Sequence, residues 1–101
     1  MEHHVYFWLK PECKDDATRS KFERGLAALF EIEAVAGGIW GHPAATPERP
    51  VTEKSWDYAL SLRFDSLESH DAYQEDPAHD AFVDEFKDCW AKAQVMDVSK
   101  G

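Results

Sequence analysis

Residues His4-Val5-Tyr6-Phe7-Trp8-Leu9 alternate so that Val5, Phe7 and Leu9 share one face and His4, Tyr6 and Trp8 the other. Aromatic and branched residues in such a run predict a strand. Both faces are bulky, so the strand needs cover on both sides. Phe22, Leu26, Leu29 and Phe30 then recur at helical spacing behind the caps offered by Asp15-Asp16-Ala17-Thr18. Gly25 weakens this helix and marks a close crossing. Gly37-Gly38 breaks the pattern, and Ile39-Trp40-Gly41-His42 reads as a short second strand. Pro43 to Ser55, with three prolines and several charges, reads as an exposed loop. Trp56 to Phe64 predicts the cleanest strand, with Trp56, Tyr58, Leu60, Leu62 and Phe64 along one side. Ser66 caps a short helix through about Gln74. Asp76 caps the next, with Pro77 at its first position, where the missing amide costs nothing. That helix runs to about Cys89. Gln94 to Val98 is the last strand, with Val95 and Asp97 on one face and Met96 and Val98 on the other.

The order strand, helix, strand, strand, helix pair, strand is the split βαβ or ferredoxin-like plan: a four-stranded antiparallel sheet with helices on one face, class α+β. The other sheet face is then bare in a monomer. A chain of 101 residues makes one domain, spanning 1–101, yet it carries four Trp, three Tyr and six Phe. Such a surplus of rings suits a homodimer in which two sheets face each other.

A net charge of −9 argues against nucleic acid and against anionic membrane surfaces, both of which select clustered Lys and Arg. Cys13 and Cys89 lack metal-ligand or redox spacing and read as free thiols. No signal peptide or membrane-spanning run is visible, which gives a cytoplasmic expectation.

The candidate chemistry centres on His79. It sits in the first turn of the helix that Asp76-Pro77 opens, and Phe82, Val83 and Phe86 share its face. The helix dipole there disfavours the charged ring, and a neutral sheltered imidazole is what a general base near neutral pH requires. The alternative is a core histidine satisfied by hydrogen bonds. Asp97, mid-strand among apolar neighbours, is the partner expected to orient it. Tyr73 offers a phenol to a carbonyl or enolate oxygen, or else anchors packing. His4 shares a face with Tyr6 and Trp8. His3 reads as a solvated residue at a fraying end, His42 as structural or exposed, and His70 as a half-buried surface residue. The histidines and acids lack the close spacing of a zinc site, and no phosphate loop or nucleophile motif is present. A magnesium ion held through backbone carbonyls would leave little trace in the sequence.

The opening His4-Val5-Tyr6-Phe7-Trp8-Leu9-Lys10, the segments Trp56-Asp57-Tyr58-Ala59-Leu60 and Phe64-Asp65-Ser66, the motif Tyr73-Gln74-Glu75-Asp76-Pro77-Ala78-His79 and the tail Val95-Met96-Asp97 together resemble the stress-responsive α/β-barrel (Dabb) domain family. The resemblance implies a ferredoxin-like protomer that dimerises through its sheets into an α+β barrel. It implies a small homodimer with a pocket between sheet and helices for a small apolar carbonyl compound, lined by His4, Tyr6, Trp8, Tyr58 and Phe82. Its alternative is a cofactor-independent enzyme like the family's olivetolic acid cyclase, performing an intramolecular aldol condensation. There the catalytic positions fall on His79 as base, Tyr73 as enolate stabiliser and Asp97 as support, with the cyclase's strand-one histidine on His4. A cofactor-free monooxygenase on the same barrel is a third reading. No cofactor is implied. Leu26 and Tyr58 depart from the cyclase, which has a tyrosine and a histidine at those places, so the pocket lining differs.

Overall fold

Alternation in the first strand, β1 (Glu2–Leu9), sets the two faces of the sheet in the computed structural model, which describes residues 1–101. It pairs antiparallel with both β3 (Tyr58–Arg63) and β4 (Trp90–Val98). The short β2 (Gly37–Gly41) adds to β3, giving the order β2-β3-β1-β4. All pairs are antiparallel, and this is the ferredoxin-like arrangement. The helices α1 (Asp16–Leu29), α2 (Leu67–Glu75) and α3 (Pro77–Phe86) cover one face.

Each helix starts where a side chain meets its orphan amides. Asp15 accepts from the amide of Thr18 at 3.0 Å, Ser66 from Ser69 at 3.0 Å, and Asp76 from Ala78 at 2.8 Å. Gly25 is where α1 crosses α3: a β-carbon there would lie 2.5 Å from the Phe86 ring. A helix-interior glycine costs about 1 kcal/mol. Burying a phenylalanine returns about 1.5–3 kcal/mol, so the close crossing wins.

The core lies between sheet and helices. Val5, Phe7 and Leu9 of β1 and Tyr58, Leu60 and Leu62 of β3 meet Phe22, Leu26 and Leu29 of α1 and Phe82 and Phe86 of α3. The opposite face carries His4, Tyr6 and Trp8, flanked through the pairing register by Ile39, Ser61 and Met96. Ile39 and Met96 are 72 % and 47 % exposed. No helix is long and apolar enough to cross a membrane.

Five expectations need correction. The first strand begins two residues earlier than expected, because Met1 and Phe64 exchange hydrogen bonds of 2.9 Å that tie the chain end into the sheet. His3 is therefore not solvated but 4 % exposed on the core face. The third strand begins at Tyr58, which frees Trp56 to turn to the outer face, its ring 5.3 Å from that of Tyr6. The last strand begins at Trp90 rather than Gln94. Finally, Cys13 and Cys89 are not free thiols but a disulfide, with Cα atoms 5.7 Å apart. Leu9 and Trp90 are register partners, so the turns that follow β1 and precede β4 lie side by side.

Candidate functional site

A cavity of about 160 Å³ lies between the β1–β4 half of the sheet and helices α2 and α3. Its walls are mostly apolar, from Val5, Leu60, Phe82, Val83 and Trp90, and His3, Tyr73 and His79 stand among them. Three separate local signals bring those polar side chains together. Strand parity turns His3 inward with Val5. Tyr73 lies on the inner face of α2, one turn after His70. The Asp76-Pro77 start places His79 in the first turn of α3, its amide donating to the Asp76 carbonyl at 3.0 Å.

Tyr73 is 1 % exposed. Its ring packs edge-on to His79, with centroids 4.8 Å apart, and lies 6.0 Å from the ring of His3. Burial pushes the phenol up, so it stays protonated and able to donate. Burial also holds His79 below the ordinary imidazole value, against the raising influence of Asp80 and Asp76. Its Nδ1 is buried and has no hydrogen-bond partner. A neutral imidazole with a free nitrogen, beside a protonated phenol in an apolar cavity, is equipped to accept a proton and to hydrogen-bond an oxygen.

Asp97 does not meet His79. It stands opposite His3 in the β1–β4 register, and its Oδ1 lies 2.6 Å from His3 Nδ1. That pairing accounts for a carboxylate at this point of the strand. Burial lowers the pKa of His3 overall, although the hydrogen bond and charge of Asp97 pull the other way.

The other sequence candidates scatter. Phe82 lines the cavity. His4, Tyr6 and Trp8 do not, because strand parity sends them to the outer face. There Tyr6, Trp8 and Trp56 border an open hollow of about 450 Å³ with Lys92 and Met96, while His4 bonds Glu2 at 2.9 Å. Tyr58 is fully buried but lies beyond the cavity. Its hydroxyl donates to Glu23 at 2.6 Å and its ring carries the Arg19 guanidinium at 5.7 Å.

His3, rather than His4, is the strand-one histidine of the cavity. Its signal was present in the alternation, two residues before Val5, but needed the strand to start at Glu2. His70 is half-buried, as expected, and stands beside this histidine. Its ring lies 5.0 Å from that of His3, and its Nε2 is buried without a partner.

Solved structures with the same architecture include a protein from Arabidopsis thaliana, superposing with a TM-score of 0.82 at 21% identity over 99% of this chain and 94% of that one. A protein of unknown function from Bacteroides fragilis, described as dimeric and ferredoxin-like, gives 0.74 at 20% identity over 98% and 94%. A hydroxynitrile lyase from Passiflora edulis gives 0.77 at 18% identity over 94% and 87%. These likenesses establish the fold. No curated protein matches the sequence. The stress responsive A/B barrel domain profile matches residues 1–100. With that match along nearly its whole length, the chain belongs to the stress-responsive A/B barrel (Dabb) domain family.

Proposed function

We propose that this protein is a homodimer, formed through its sheet faces, that binds a small apolar carbonyl compound in the cavity between sheet and helices. The observation that carries the reading is the buried, unpartnered Nδ1 of His79 in an otherwise apolar cavity beside the Tyr73 phenol. A lone polar nitrogen in such walls is stabilised by a ligand that brings its own polar atom. The cavity volume points to a small ligand. An apolar cavity of about 150 Å³ accommodates benzene, and this one is about 160 Å³. A single-ring carbonyl compound such as benzaldehyde is of the size that suits this volume. Self-association is supported by the exposed Ile39, Met96 and Val98 on the uncovered face and by the relative described as dimeric.

Calorimetric titration of the protein with benzaldehyde tests the binding. Saturable binding, weakened at least tenfold in both His79→Leu and Tyr73→Phe, is the expected result. No saturation, or affinity in both variants equal to that of the unmodified chain, would remove the reading.

The imidazole–phenol pair also favours an enzymatic second reading, in which His79 takes the α-proton of a bound ketone and Tyr73 hydrogen-bonds the resulting enolate oxygen. Cyclopentanone in D₂O would then exchange its α-hydrogens for deuterium faster with the protein than with His79→Leu. Exchange at the buffer rate would leave binding without catalysis.

A further inference from the structure

At the rim of the cavity, where the β1–β4 edge meets α2, three ligating side chains face one another. His3 points from β1, Asp97 from the register position beside it on β4, and His70 from α2. One donor atom from each lies within 4.8 Å of the other two. Of the three, only His3 also lines the cavity.

We propose that His3, His70 and Asp97 form a binding site for a divalent transition-metal ion of the zinc kind. The donor set selects the ion class. Two imidazoles and one carboxylate suit zinc and its first-row neighbours, whereas magnesium and calcium take oxygen ligands. Bonds of about 2.0–2.1 Å to a tetrahedral ion place ligand atoms roughly 3.3 Å apart. The 2.6 Å His3–Asp97 contact opens slightly and the 4.8 Å span closes. The side chains that must move are the least confined: Asp97 is 45% exposed on an edge strand and His70 17%.

A second observation points the same way. Asp71 Oδ1 lies 3.2 Å from His70 Nδ1, the carboxylate–histidine arrangement that orients a metal-bound ring and leaves Nε2 for the metal. That Nε2 is buried and unpartnered. A simple His3–Asp97 hydrogen bond accounts for two members of the cluster and leaves this nitrogen unexplained. Asp97 gives the ion a path from solvent, and the net charge of −9 attracts cations. Three protein donors leave a fourth position for water or an exogenous ligand. The inference does not depend on the compound proposed for the cavity.

Zinc chloride titrated calorimetrically into the full chain tests it. One ion per chain is expected, with at least tenfold weaker binding in His70→Ala and in Asp97→Asn and no change in His42→Ala. Absence of binding at millimolar zinc, or equal affinity in all three variants, would overturn the assignment. Should a variant fail to fold by circular dichroism, imidazole NMR of the unmodified chain decides. Zinc must then shift the His3 and His70 rings and spare His42, and any other pattern refutes the site.

Discussion

His79 and His3 show how two imidazoles of one cavity can be held neutral by different balances. His79 has burial and no partner at Nδ1, while His3 has burial opposed by Asp97. A buried polar atom without a partner costs about 1–3 kcal/mol. Replacing His79 with leucine is therefore expected to leave urea stability unchanged or raised by about 1 kcal/mol, even as it removes ligand affinity. A loss of several kcal/mol would make the ring a structural group. The pH dependence follows from the same burial. Because both rings sit below the ordinary imidazole value, near 6.5, the unfolded chain binds protons that the folded chain rejects. Their stability contribution is complete above about pH 6.5 and is lost as the pH falls through the lower folded values. Urea midpoints should drop toward acid, less steeply in His79→Leu, and a midpoint rising toward acid would contradict this. At this scale local motifs were legible. Asp76-Pro77 announced the α3 start, and the spacing to Phe82 and Phe86 announced the inward face of His79. The partner of Asp97 was not legible, because it is fixed by the β1–β4 register rather than by any spacing along the chain.

Among the elements, the α1–α3 crossing and the β1–β4 pair set the frame of the site. Gly25→Ala would drive a β-carbon into the Phe86 ring, and overpacking of this kind costs about 1–3 kcal/mol. Its small gain in helix propensity, about 1 kcal/mol, offsets only part of that. Chemical unfolding should show a net loss, and a stabilised variant would mean that Phe86 can swing clear. The Cys13–Cys89 disulfide closes a sequence separation of 76 residues. Cys13→Ser with Cys89→Ser should lower stability by about 2–4 kcal/mol, read from urea midpoints with and without reductant. An unchanged midpoint would mean that the sheet pairing alone holds the two turns together. Periodicity and helix caps marked the three α-helices and four strands, but not the short 3-10 turns at Pro11–Cys13 and Lys87–Cys89, and element ends followed contacts distant in sequence. The β1 start depends on Met1 meeting Phe64, and the β4 start on Leu9 meeting Trp90. Trp56 alternates with Tyr58 in sequence, yet it lies outside the ladder and packs on Tyr6.

For the whole molecule, one sheet face is covered by helices and the other carries Tyr6 and Trp8 with Ile39 and Met96 exposed. Sedimentation should find dimers, and Ile39→Asp with Met96→Asp should yield monomers, since charges on a buried apolar interface are costly. Unaltered sedimentation would place the interface elsewhere. The central claim concerns the other face, where His3, Tyr73 and His79 converge on one cavity. Nitrogen-edited NMR of the histidine rings during a benzaldehyde titration tests it most directly. The account predicts saturable shifts of the His79 ring with His42 unmoved. Shifts confined to His4 on the far side of the sheet, or none at all, would contradict it.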